Sequence, residues 1–143
     1  VDIDKKTYNL SIDCLEEKLI QAEKDNKLPK VLIVVHFAGQ PCEMKSIHQL
    51  SSKYGFKIIE DASHAVGGEY QGRKIGSCQY SDLTVFSFHP VKIITSGEGG
   101  MILTNQEILV EKLQMLRNSG ITREASKMTE KTQAYSYLNP SVF

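Results

Sequence analysis

The sequence predicts an α/β domain, a mostly parallel sheet flanked by helices, and two observations lead there. Val31-Leu-Ile-Val-Val-His-Phe37 is a β-branched run of one strand's length. Such uninterrupted apolar runs belong to strands covered on both faces of a sheet. A helix-spaced segment and a second short apolar run then follow closely. Strand, helix and strand in so short a span imply a right-handed crossover between parallel strands.

The elements follow in order. Asp13 and Glu16 have capping-box spacing and open a helix to about Lys24, with Leu15, Leu19 and Ala22 on its inner side. The Val31–Phe37 strand breaks at Gly39-Gln-Pro41. Met44, Ile47, Leu50 and Tyr54 then recur at three- and four-residue spacing on one helical face, and Gly55 stops that helix. Phe56-Lys-Ile-Ile59 is the next strand. Gly67-Gly68 makes a turn, and Tyr70 to Ile75, with Gly72 inside, forms a small hairpin or surface loop. Asp82–Phe88 and Gly100–Thr104 are two further strands. Thr104 and Glu107 have box spacing before a helix to about Arg117 that turns Ile108, Leu109, Leu113 and Leu116 inward. After Gly120 the pattern dissolves into polar residues, and no repeat or linker marks an internal boundary.

Composition narrows the function classes. Among 143 residues, 17 basic and 17 acidic side chains balance, which argues against a general polyanion or nucleic-acid binder. With 41% hydrophobic and 24% charged residues the chain has the makeup of a globular domain. No apolar run approaches the roughly 20 residues that cross a bilayer, and the N-terminus lacks a signal-peptide core, so a cytoplasmic protein without a membrane partner is expected. Cys14, Cys42 and Cys78 form no Cys-x-x-Cys pair, and the four histidines form no His-x-x-x-His pair, so neither a disulfide framework nor a metal site is indicated.

In an open α/β sheet the ligand lies beyond the carboxyl ends of the strands. The residues there are polar: His36 to Cys42, Glu60 to His64, Ser87 to Lys92, and Thr95 to Gly100. Lys92 carries an amine that forms a Schiff base with a carbonyl once its pKa is lowered; spacing alone favours a solvated loop lysine. Asp61 either holds a heterocyclic nitrogen protonated or caps a turn. Glu60, one residue earlier, points to the opposite face if the strand continues. His64 lies flat on a cofactor ring or packs as a hydrogen-bonded histidine, and Ser87 donates to a phosphate or satisfies its own turn. Gly97, Gly99 and Gly100 precede a strand and so make no dinucleotide fingerprint; they reverse the chain near Lys92.

Taken together, Glu60-Asp-Ala-Ser-His-Ala-Val-Gly-Gly68, Ser81-Asp-Leu-Thr-Val-Phe-Ser-Phe-His-Pro-Val-Lys92 and Ile94-Thr-Ser-Gly-Glu-Gly-Gly-Met101 closely resemble the pyridoxal-phosphate-dependent sugar-nucleotide aminotransferases of the DegT type. The likeness runs from about Val1 to about Arg123. His36-Phe-Ala-Gly-Gln-Pro-Cys-Glu-Met44 is most similar to the UDP-4-amino-4,6-dideoxy-N-acetyl-beta-L-altrosamine transaminase branch, which aminates a UDP-linked 4-keto-6-deoxy sugar in pseudaminic acid biosynthesis.

The resemblance implies the large domain of the aspartate-aminotransferase-like (type I) fold and pyridoxal 5'-phosphate as cofactor. It implies that Lys92 is the Schiff-base lysine and proton carrier, and that Asp61 pairs with the pyridine nitrogen. His64 matches the ring-stacking position, often glutamine in relatives, and Ser87 matches a phosphate-binding hydroxyl. The implied partners are a UDP-sugar, an amino donor such as glutamate, and a second copy in a homodimer of the full-length form. Relatives are more than twice as long. Residues 1–143 therefore read as a fragment of the cofactor-binding large domain, without the upstream phosphate loop and the C-terminal small domain, weakly active or inactive alone. Two local departures accompany this: Ser119 stands where relatives often have histidine, and Asn139, in Tyr137-Leu-Asn-Pro140, lacks the pattern around the asparagine that relatives lend their partner's site. The alternative is a non-catalytic α/β binding or assembly module derived from the same family.

Overall fold

A computed structural model describes residues 1–122, 124, 126, 128, 136 and 137. The chain divides into two compact units, Val1–Asn105 and Gln106–Phe143.

The first unit is built on a four-stranded sheet. Helix α1 (Ile12–Lys24) precedes strand β1 (Val31–Val35), a 3-10 turn (Phe37–Gly39), helix α2 (Met44–Tyr54) and strand β2 (Lys57–Asp61). A hairpin of β3 (Glu69–Tyr70) and β4 (Arg73–Lys74) leads to β5 (Leu83–Ser87) and β6 (Gly100–Leu103). The sheet order is β1-β2-β5-β6. The first two pairings are parallel, with Val35 opposite Asp61 and Asp61 opposite Val85, while β6 runs antiparallel to β5 and sets Gly100 opposite Ser87. The predicted crossover and the mostly parallel sheet are therefore present.

Alternation along the strands divides the sheet into two faces. Leu15 and Leu19 of α1 and Met44, Ile47, Leu50 and Tyr54 of α2 pack with Val34, Phe56 and Ile58 into one core. Both helices thus cover the same face. On the other face Val31, Ile33, Val35 and Ile102 are exposed, Ile33 by 61%. This corrects the expectation for the Val31–Phe37 run. It has the composition of a doubly covered strand, but the helices of this unit supply one cover only, and regular strand ends at Val35 as the 3-10 turn begins.

Two helix starts also differ from expectation. The N-cap of α1 is Ser11, whose Oγ accepts the Cys14 amide at 3.3 Å, so Asp13 falls in the first turn, where its charge suits the helix dipole. Thr104 donates its hydroxyl to the Asp82 carbonyl at 2.8 Å, and Gln106 takes the N-cap position of the next helix. The stop of α2 is as predicted: Gly55 sits at φ 78° and its amide returns to the Ser51 carbonyl at 2.8 Å.

The second unit holds α3 (Glu107–Arg117) and a short ribbon of β7 (Ile121–Thr122) with β8 (Ser136–Tyr137). No residue of α3 is buried, and Ile108 and Leu116 are exposed. The predicted amphipathic spacing exists, but one helix and a two-stranded ribbon offer too little apolar surface to bury it.

Candidate functional site

Because β1, β2 and β5 are parallel, their last residues, Val35, Asp61 and Ser87, share the carboxyl edge of the sheet. The loops that follow, residues 36–43, 62–68 and 88–99, leave from that edge. Asp61 faces Val85 across the β2–β5 pairing, and Ser87 follows Val85 by two positions on the same face. The structure thus brings Asp61 and Ser87 together on the face that α1 and α2 leave open.

Asp61 is half-buried. Its Oδ1 accepts the Ser63 amide at 3.1 Å, and its carbonyl accepts the His36 amide at 3.1 Å. The turn role and an outward-facing carboxylate are therefore combined in one residue. Ser87 is half-buried, with the His89 amide at 3.5 Å from its Oγ, a contact too long to hold the hydroxyl. His64 is exposed on the 62–68 loop, which turns through the Ala65 amide to the Ala62 carbonyl at 2.8 Å.

Lys92 is half-buried in the 88–99 excursion. It lies 92 − 87 = 5 residues past Ser87, a span of at most about 18 Å. The excursion is closed at its neck. The Phe88 amide bonds the Gly99 carbonyl at 2.8 Å, and the Phe88 carbonyl takes the Ser96 amide at 3.1 Å and the Thr95 hydroxyl at 3.0 Å. Gly97, at φ 82°, makes the reversal that its composition predicted. The Lys92 amide itself closes a turn onto the His89 carbonyl at 2.9 Å. Asn139 lies outside the described residues.

Behind the site is a buried polar network that the sequence did not reveal. His36, fully buried, places Nε2 at 2.7 Å from Glu60 Oε2, and its Nδ1 accepts the Cys42 amide at 3.1 Å. Glu60 Oε1 accepts hydroxyls from Ser81 and from Thr84, the latter at 3.0 Å. Burial pushes the Glu60 carboxyl up, but the donors from His36, Ser81 and Thr84 together outweigh it and hold the group below the ordinary carboxylate value. Strand alternation correctly predicted that Glu60 turns away from Asp61. Its partner His36 was visible only as part of a motif.

The donor set fits a phosphorylated aromatic heterocycle: a carboxylate and a hydroxyl on one open face, with an amine and an imidazole on loops from the same edge. Among the described residues no group of three or more His, Cys, Asp or Glu is arranged to hold a metal ion, and no helix is long and apolar enough to cross a membrane.

Residues 1–138 match the model of the DegT/DnrJ/EryC1/StrS aminotransferase family. The chain is 43% identical over 137 residues to an uncharacterized protein of Methanocaldococcus jannaschii, an alignment covering 96% of this chain and 33% of that protein. It is 42% identical over 124 residues to the UDP-4-amino-4,6-dideoxy-N-acetyl-beta-L-altrosamine transaminase of Campylobacter jejuni, covering 87% of this chain and 31% of the transaminase. Among solved structures, Helicobacter pylori PseC, an aminotransferase of pseudaminic acid biosynthesis, superposes with a TM-score of 0.75 at 33% identity, over 86% of this chain and 31% of PseC. The chain spans about a third of the length of these relatives.

Proposed function

The chain belongs to the DegT/DnrJ/EryC1/StrS aminotransferase family, a family of pyridoxal-phosphate-dependent sugar aminotransferases, and from that premise we propose that it is part of the cofactor-binding large domain of a sugar-nucleotide transaminase. The reaction moves an amino group from a donor such as glutamate to the keto carbon of a UDP-linked 4-keto-6-deoxy sugar. The full-length protein works in the cytoplasm as a homodimer. The observation that carries the reading is the placement of Asp61 and Ser87 on one open face at the carboxyl edge, with Lys92 on the loop that leaves Ser87.

Pyridoxal phosphate, when bound, supplies an electron-accepting ring and a carbonyl that condenses with amines. The residues of this chain do the rest. Asp61 holds the proton on the ring nitrogen, since an ion pair favours the charged form of both partners. Ser87 donates its hydroxyl to the phosphate. His64 would pack against the ring. The Lys92 amine would hold the cofactor through its carbonyl carbon and would supply the base that moves a proton at the reacting carbon. The chain alone holds part of the phosphate grip, and positioning is a large share of catalysis, so by itself it is weakly active or inactive.

The test is to add pyridoxal phosphate to the chain, reduce with borohydride and locate the adduct by mass spectrometry. A single adduct at Lys92, lost in Lys92→Ala, supports the reading. Labelling spread over surface lysines, or none, leaves a non-catalytic module of the same family.

A further inference from the structure

His36 makes three bonds, two of them to Glu60 and Asp61 and one to its own loop. Its amide donates to the Asp61 carbonyl at 3.1 Å, directly beyond the last register pair of the two strands, Val35 with Asp61. Its Nε2 meets Glu60 at 2.7 Å, and its Nδ1 accepts the Cys42 amide at 3.1 Å. With Nδ1 accepting, the ring proton sits on Nε2 and points at Glu60, so both ring nitrogens are committed. Glu60 is held in turn by Thr84 of β5 and by Ser81, two residues ahead of that strand. The loop that His36 anchors passes against the next one: a Cβ on Gly39 would lie 2.8 Å from the His64 carbonyl oxygen.

We infer that His36 is a positioning residue, which fixes the Asp61 peptide through Glu60 and the 36–42 loop, with the His64 backbone beside it, through Cys42. An apolar side chain of equal volume would fill the space and leave the Cys42 amide and the Glu60 carboxylate each short of a partner. The part of the inference that concerns cofactor geometry rests on the function proposed above; the bracing itself does not.

Two substitutions separate the links. His36→Asn keeps an acceptor near the position of Nδ1 and gives up the donor to Glu60. His36→Gln reaches Glu60 and gives up the acceptor for Cys42. Amide hydrogen exchange on the 143-residue chain without cofactor reads both. In His36→Asn the amides of residues 61–65 exchange at least about fivefold faster, the lower end of the effect of one unsatisfied buried partner, while those of α1 stay within about twofold. In His36→Gln the amides of residues 39–42 accelerate more than those of 61–65. Equal acceleration through α1, or none near Asp61, overturns the inference. Should either variant fail to fold, the ring nitrogen shifts of the unmodified chain decide: a proton on Nε2 supports the brace and one on Nδ1 overturns it. Pyridoxal phosphate titrated into the same proteins binds about tenfold more weakly to His36→Asn than to the unmodified chain. An unmodified chain that takes up no pyridoxal phosphate defeats the functional reading while the exchange pattern still decides the brace.

Discussion

Glu60 and Asp61 are consecutive in β2, and the sheet sends their carboxylates to opposite faces. Glu60 is buried among His36, Ser81 and Thr84, whereas Asp61 is half-buried at the open face and bonded to one amide. Two acids that look interchangeable in the sequence therefore have separate physical tasks. One satisfies a buried imidazole, and the other presents its charge at the open face.

Asp61→Asn separates charge from shape. The amide keeps the size of the side chain and an oxygen for the Ser63 amide, so urea denaturation shifts by less than about 1 kcal/mol. On the function proposed above, transamination by the full-length holoenzyme falls by about 10- to 1,000-fold, matching the one to three pKa units that an adjacent opposite charge contributes.

Acid unfolding reports Glu60. Its folded value is held below the unfolded one, so its contribution to stability is complete above the ordinary carboxylate range and is lost as pH falls through the folded value. The urea midpoint of the chain therefore declines on acidification from about pH 5. Glu60→Gln starts from a lower midpoint and declines less. An unchanged slope in the variant would assign the acid sensitivity to other groups.

Thiol labelling distinguishes the cysteines. Burial pushes the Cys42 thiol up to about 11, and its Sγ donates to the Val35 carbonyl at 3.1 Å. At pH 8 about one Cys42 in a thousand is thiolate. A disulfide reagent therefore modifies the half-exposed Cys14 first and reaches Cys42 only in urea. Rapid labelling of Cys42 in the native chain would show that the 36–42 loop opens.

Gly39 and Gly55 both have positive φ, 86° and 78°, but only Gly39 abuts backbone, the His64 carbonyl at 2.8 Å from a built Cβ. Gly55→Ala costs about 1 kcal/mol of conformational strain. Gly39→Ala costs roughly 2–3 kcal/mol, since the His64 loop must also move. Thermal unfolding of the two variants ranks them.

Much of the architecture is legible in the residues. Met44, Ile47, Leu50 and Tyr54, read at helical spacing, are the four that α2 buries, and Asp61 and Ser87 fall at strand ends because the strands themselves are apolar and well bounded. Three features resisted reading. Box spacing places the start of α1 at Asp13, whereas the cap is Ser11, whose backbone is extended. The apolar stripe of α3 states which side seeks cover, while the cover depends on surfaces that spacing does not encode. The His36–Glu60 pair depends on the register of two strands distant in the chain: alternation shows that Glu60 points inward, and only the alignment of Val34 with Glu60 places the imidazole beside it.

The antiparallel return of β6 has an evolutionary corollary. Because the segment bearing Lys92 departs and rejoins at adjacent points, sealed by the two backbone groups of Phe88, the rest of this cassette can vary without disturbing any strand register while Lys92 keeps its place. Divergence in what such a scaffold accepts is then cheapest in this cassette, while Asp61 and its brace stay put in the sheet.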